Sequence, residues 1–210
     1  MSEKNWDPEG TKMKLLKKVG EVMAEKGYRE INATALGLRI NRHRTAVKNH
    51  FGSVKGLMET YVRIADYWKP NLEKFMLPET ATNEEIKQMF IALMQMNFDL
   101  FTQNKEMQGI IYWQISEENP LMQRTSIERE KAGAALLALT DRHFAGTGIN
   151  FRAVICSMLS TIYYPTWHAR YNKSSVAGLD INQEKDYQDL RDTIGYIIEL
   201  VWRDAGKRAK

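Results

Sequence analysis

Apolar residues recur three and four positions apart along almost all of this 210-residue chain, and no segment alternates polar with apolar as a half-buried strand would. That period predicts an all-α protein and leaves open only how the helices are grouped. Leu15, Leu16, Val19, Val22 and Met23 form the stripe of a first helix, closed by Gly27 with Tyr28 as the apolar contact beyond it. Asn32 is placed to cap a short second helix through Leu38, with Ala35 and Leu36 facing inward. Asn41 suits a left-handed turn, and a third helix follows from about Arg44 to His50; Phe51-Gly52-Ser53 ends it and caps the next. From Val54 a helix is expected to continue through Leu57, Tyr61, Ile64, Ala65 and Trp68 towards Pro70.

The rest of the chain repeats the pattern at greater length. Thr82 with Glu85 predicts a capping box, and the helix it opens, through Thr102, is apolar on nearly every side and therefore central. A long helix is expected from about Pro120 to Phe144, then a loop at Ala145-Gly146-Thr147-Gly148. Two helices close the chain. The first bears Phe151, Val154, Ile155, Met158, Leu159 and Ile162 and is expected to be interrupted by Pro165; the second bears Tyr187, Leu190, Ile194, Ile197, Ile198, Val201 and Trp202.

Charge separates the short helices from the long ones. Between Ile31 and Met58 there is no Asp or Glu, yet the stretch carries Arg39, Arg42, Arg44, Lys48 and Lys55. Residues 1–58 hold twelve Lys or Arg against six Asp or Glu, a surplus of six; with +4 on the whole chain, the remainder carries −2. A folded segment of one-sided positive charge suits a polyanion, and short helices separated by turns can enter a DNA groove.

Several functions are set aside by what the residues lack. Cys156 is the only cysteine, so no intrachain disulfide forms; it sits in an apolar stripe and is expected to be a buried, inert thiol. His143 and His168, with Cys156, have no metal-ligand spacing, and no nucleophile–base pair or phosphate-cradling glycine loop stands out. Glu117-Glu118 reads as a solvated helix end. No enzyme activity, metal or cofactor is expected. The opening MSEKNWDPEG has no apolar signal core and no apolar run is long enough to span a bilayer, so a cytoplasmic protein without membrane contact is expected.

The head resembles the N-terminal domain of the TetR family of bacterial transcriptional regulators. The resemblance rests on Met23-Ala24-Glu25-Lys26-Gly27-Tyr28, on His50-Phe51-Gly52-Ser53 with Leu57 six residues beyond the phenylalanine, and on uninterrupted spacing between the two, over roughly residues 10–60. Departures are specific: Asn41 stands where the family's turn has glycine and Arg42 where it has an inward valine. His43 and Lys48 replace the usual serine and tyrosine of the recognition helix, and Val54-Lys55 shifts the lysine common at the start of the fourth helix.

The resemblance implies a helix-turn-helix head at residues 1–55 joined to a larger helical ligand-sensing and dimerisation domain at residues 56–210. In that arrangement the third helix lies in the major groove. Arg44, Thr45 and Asn49, with His43 at the helix start, are the expected base readers; Lys48, Lys55, Thr34 and His50 are the expected phosphate anchors. Arg42, and the helix start at Asn32, complete the candidate DNA surface. A helix this short reads few base pairs, so useful specificity asks for two heads, and the resemblance implies a homodimer through the two C-terminal helices on a palindromic double-stranded operator. Met94, Phe98, Phe101, Tyr112, Trp113, Tyr163, Tyr164 and Trp167 are the candidate lining of a pocket for a small apolar or aromatic effector, whose binding would release a repressor from DNA. The competing expectation is a helical small-molecule-binding or protein-interaction protein whose basic head holds nucleic acid without sequence specificity.

Overall fold

The computed structural model describes residues 8–209, all helix, turn and loop but for one isolated bridge between Val176 and Leu179. It divides into two compact units, one of residues 1–67 with 105–124, the other of residues 68–104 with 125–210. Among the described residues no helix is long and apolar enough to cross a membrane.

The first unit opens with α1 (Pro8–Lys26), whose Leu15, Val19, Val22 and Met23 are buried on one side while Leu16 is half-buried. Gly27 ends it at φ +82°, returning its N–H to the Val22 carbonyl at 3.1 Å, and Tyr28–Glu30 makes one tight turn. Then come α2 (Ala33–Arg39), α3 (Thr45–Phe51) and α4 (Val54–Ala65). Leu36, Val47, Leu57, Tyr61 and Val62 complete the core of this group. The helix expected to run on to Pro70 stops instead at Asp66, whose backbone is extended, and Ile64 is 65% exposed rather than inward. After α5 (Trp68–Lys74) and α6 (Asn83–Gln103), both of the second unit, the chain returns as α7 (Lys105–Ser116), which packs on α1 and α4.

In the second unit α6 is the axis, as its all-round apolar character requires. The capping box is present: the Glu85 N–H donates to Thr82 Oγ1 at 3.2 Å and the Thr82 N–H to Glu85 Oε2 at 2.7 Å. Ile86, Phe90, Leu93, Phe98 and Phe101 are buried against α10 (Phe151–Trp167) and α11 (Glu184–Arg208), which contribute Phe151, Ile155, Met158 and Ile162, and Leu190, Ile194, Ile198 and Trp202. Phe90, Phe144, Phe151 and Trp202 close one end with ring centroids 4.7 to 5.3 Å apart. Polar ties sit at the rim: Arg191 Nε donates to Asp99 Oδ1 at 2.9 Å, and Lys87 pairs with Glu84 and Glu199 at 2.8 and 3.1 Å.

Three expectations need correction here. The helix from Pro120 is two, α8 (Pro120–Ala138) and α9 (Asp141–Phe144), because the Thr140 N–H and hydroxyl both turn back to the Leu137 carbonyl and end the first. Pro165 does not interrupt α10. It lies inside the last turn, where its missing N–H removes one backbone donor, and the helix then widens into a π turn over His168–Asn172. Cys156 is exposed, not buried. It follows Ile155 by one residue, about 100° around the helix, so it leaves the stripe that Ile155, Met158 and Ile162 share.

Candidate nucleic-acid interface

The geometry of α2, the turn and α3 is set by short-range chemistry. Asn32 Oδ1 accepts the Ala35 N–H at 2.9 Å and so starts α2. At the other end the Gly37 carbonyl accepts from Ile40 at 3.2 Å and from Arg42 at 2.9 Å, while Asn41 takes φ +54°. The folded-back turn comes so near Gly37 that a methyl group there would lie 2.9 Å from the Arg42 carbonyl oxygen and 3.1 Å from the Arg44 nitrogen. Only glycine leaves room for that approach. Leu36 and Val47, both buried, hold the two helices together from inside.

With those residues inward, α3 keeps an outward face. Thr45, Lys48 and Asn49 are exposed, with Arg44 at the helix start and Arg42 and His43 on the turn before it; His50 is half-buried. Arg42, placed where the family resemblance has an inward valine, is exposed as well. Thr34 on α2 and Lys55 on α4 are exposed, and Ser53 Oγ caps α4 by accepting the Gly56 N–H at 3.0 Å. Among the described residues, none of Arg42, Arg44, Lys48 and Lys55 is ion-paired, whereas Arg39 lies 3.6 Å from Glu25. The surface therefore keeps four cationic side chains without internal neutralisation.

Two of the candidate side chains also have local duties. Asn32 spends its carbonyl oxygen on the cap and its amide on the Glu30 carbonyl at 3.3 Å. His43 Nδ1 is 3.1 Å from Thr45 Oγ1, beside the first turn of α3, where Arg44 offers no side-chain cap.

The aromatic candidates fall in both units. Met94 and Phe98 are buried on α6, with Phe98 stacked on Tyr187 at 4.9 Å, and Phe101 meets Tyr163 at 4.6 Å. Trp167 packs against Tyr171 at 5.7 Å, and Tyr164 is 55% exposed, its hydroxyl 3.2 Å from His168 Nε2. Tyr112 and Trp113 belong to the first unit, where Trp113 stacks on Tyr28 at 5.2 Å and donates its Nε1 hydrogen to Glu117 at 2.7 Å; Tyr112 is 6.4 Å from the same tyrosine. Beside Phe98, sequence reasoning missed the contact of the Tyr187 hydroxyl with Asp99 Oδ1 at 2.5 Å. Burial, and then that hydrogen bond, push the Tyr187 phenol up to about 12. A lone carboxylate within the apolar run of α6 was the available signal. Among the described residues no group of three or more His, Cys, Asp or Glu side chains could hold a metal ion.

No protein-family model matches the chain, and no curated protein matches it. Solved structures do. A putative fatty acid metabolism regulator of Clostridium perfringens superposes with a TM-score of 0.64 at 13% identity, over 88% of this chain and 96% of that one. HlyIIR, a hemolysin II transcriptional regulator, gives 0.57 at 15% identity over 91% and 98%. NalD, the secondary repressor of the MexAB-OprM multidrug efflux pump in Pseudomonas aeruginosa, gives 0.51 at 16% over 94% and 97%. At such identities the common property is the fold: an all-helical plan matched over nearly the full length of each chain.

Proposed function

We propose that this chain is a transcriptional regulator of the TetR type, a repressor rather than an enzyme, acting on DNA in the cytoplasm. The observation that carries the reading is the outward face of α3, where Arg44, Thr45, Lys48 and Asn49 stand exposed with no carboxylate opposing the cations. Arg44, Thr45 and Asn49, with His43, read base edges: arginine pairs with guanine and asparagine with adenine. Lys48, Lys55, Thr34, His50 and Arg42 contact phosphates and set the register. The three similar structures, two described as regulators and one as a repressor, support the same reading.

A seven-residue recognition helix covers one half-site, so the regulator acts as a homodimer on a palindromic operator. Exposed Tyr196 and Leu200 on α11, and the small outward residues Ala153, Ser157 and Ser160 on α10, support pairing through the two C-terminal helices. A small apolar or aromatic effector binds the helical body beside Met94, Phe98, Phe101 and Tyr163 and favours the conformation whose heads mismatch the half-sites. A coupling of ~1–3 kcal/mol weakens operator binding about 5–150-fold.

The test is a double variant, Arg44→Ala with Asn49→Ala, compared with wild type on an operator and on scrambled duplex. Both residues are exposed, so melting temperature and dimer mass should hold while preference for the operator disappears. Retained preference would remove these two residues as base readers. Equal binding of both duplexes by the wild type itself would favour a sequence-blind nucleic-acid binder.

A further inference from the structure

Three helices of the first unit meet at one carboxylate. Glu106, the second residue of α7, accepts the Tyr61 hydroxyl of α4 at 2.7 Å on Oε2. On α1 the same group lies against Gly20, where a methyl group would be 2.5 Å from Glu106 Oε2 and 2.7 Å from Cδ. The helices keep this separation further along, since a methyl group on Gly109 of α7 would be 2.7 Å from Met23 Cγ of α1. Burial and the bond to Glu106 hold the Tyr61 phenol well above its usual range, so it remains a donor throughout the physiological pH interval.

The contacts have a direction in the chain. α4 follows α3 after Gly52 and Ser53 alone, and α1 packs against α2, α3 and α4, so α1 and α4 set the orientation of the recognition helix. α7 begins one residue, Asn104, after the end of α6, the axis of the second unit. We infer that Glu106 is a positioning residue for DNA reading: through Tyr61 and Gly20 it pins α1 and α4 to α7, and the pin sets how α3 is presented. This rests on the regulator reading above and assigns a residue that touches no DNA.

The test uses the whole 210-residue chain and a duplex chosen by selection. Tyr61→Phe and Glu106→Ala should each weaken operator binding about tenfold, or 1.4 kcal/mol, and the double variant no more than either one. Glu106→Gln still accepts from Tyr61 and should restore binding to near the wild-type value. Gly20→Ala supplies the reading that a merely structural role would not move. Alanine favours α1 and the displaced atoms belong to a flexible side chain, so the melting temperature should not fall, yet operator binding should weaken as in the other two variants. Additive losses in the double variant, or wild-type binding by Gly20→Ala, would overturn the assignment. If no duplex is selected at all, the regulator reading falls and the positioning role with it. Failure of the pin alone is distinct: a normal operator, bound equally by all of these variants.

Discussion

The salt dependence of DNA binding separates cations that face solvent freely from Arg39, which the fold already pairs with a carboxylate. Binding that replaces condensed counterions weakens with salt, with a slope of log K against log salt near −0.9 for each phosphate neutralised. On the head, Lys48 and Lys55 are exposed and not ion-paired, while Arg39 lies 3.6 Å from Glu25 with its side chain 31% exposed. Replacing both lysines by alanine removes two cations from each head and four from a dimer, so the slope should become shallower by about 3.6. Arg39→Ala should leave it nearly unchanged, because that arginine's charge is offset within the protein. Fluorescence anisotropy of a labelled duplex across a salt series measures both. With the lysines on phosphates, as proposed, their loss should weaken operator and scrambled duplex alike and preserve the ratio between them. A slope shift below one for the lysine pair, or an equal shift for Arg39→Ala, would refute this account of the surface.

Three further outcomes follow from the geometry. Asn41 holds φ +54°, so Asn41→Val should lower stability by ~1–2 kcal/mol in thermal melts while Asn41→Gly holds it; equal melting of the two would exclude a left-handed turn there. Tyr187 is pushed up to about 12 from 10.0, so the protonated phenol is favoured in the folded protein; the stability this contributes is complete below pH 10 and is lost as pH rises towards 12. Phenolate absorbance should show a late step that Tyr187→Phe removes; if that variant instead loses absorbance near pH 10, the burial of Tyr187 and its Asp99 contact are contradicted. Tyr196→Glu with Leu200→Glu should yield monomers by light scattering with helix content intact, and a retained dimer mass would move the interface elsewhere.

What could be read directly from the residues was what depends on neighbours three or four positions apart. Asn32, Ser53 and the Thr82–Glu85 pair cap the helices they were expected to cap, and Asn41 takes the expected conformation, because each acts within one turn of backbone. The stripes of α6, α10 and α11 face inward for the same reason. Breaks within apolar runs were harder to read. Asp66 and Thr140 end helices through local backbone preferences that the surrounding apolar period masks, and Pro165 lies too near the end of α10 to break it. Contacts between distant residues left no periodic trace: Trp113 was a candidate for an effector pocket, and its stacking partner, Tyr28, is 85 positions away. Gly20 against Glu106 is of the same kind. A glycine in mid-helix marks a close approach without naming what approaches.

Selection from random duplex DNA at near-physiological salt, followed by sequencing of the retained fraction, tests the central claim most directly. A dimeric reader should enrich one twofold-symmetric site, its half-sites about one helical turn apart centre to centre or a multiple of that. Retention without any enriched sequence would contradict the account and leave a basic head that binds phosphate alone.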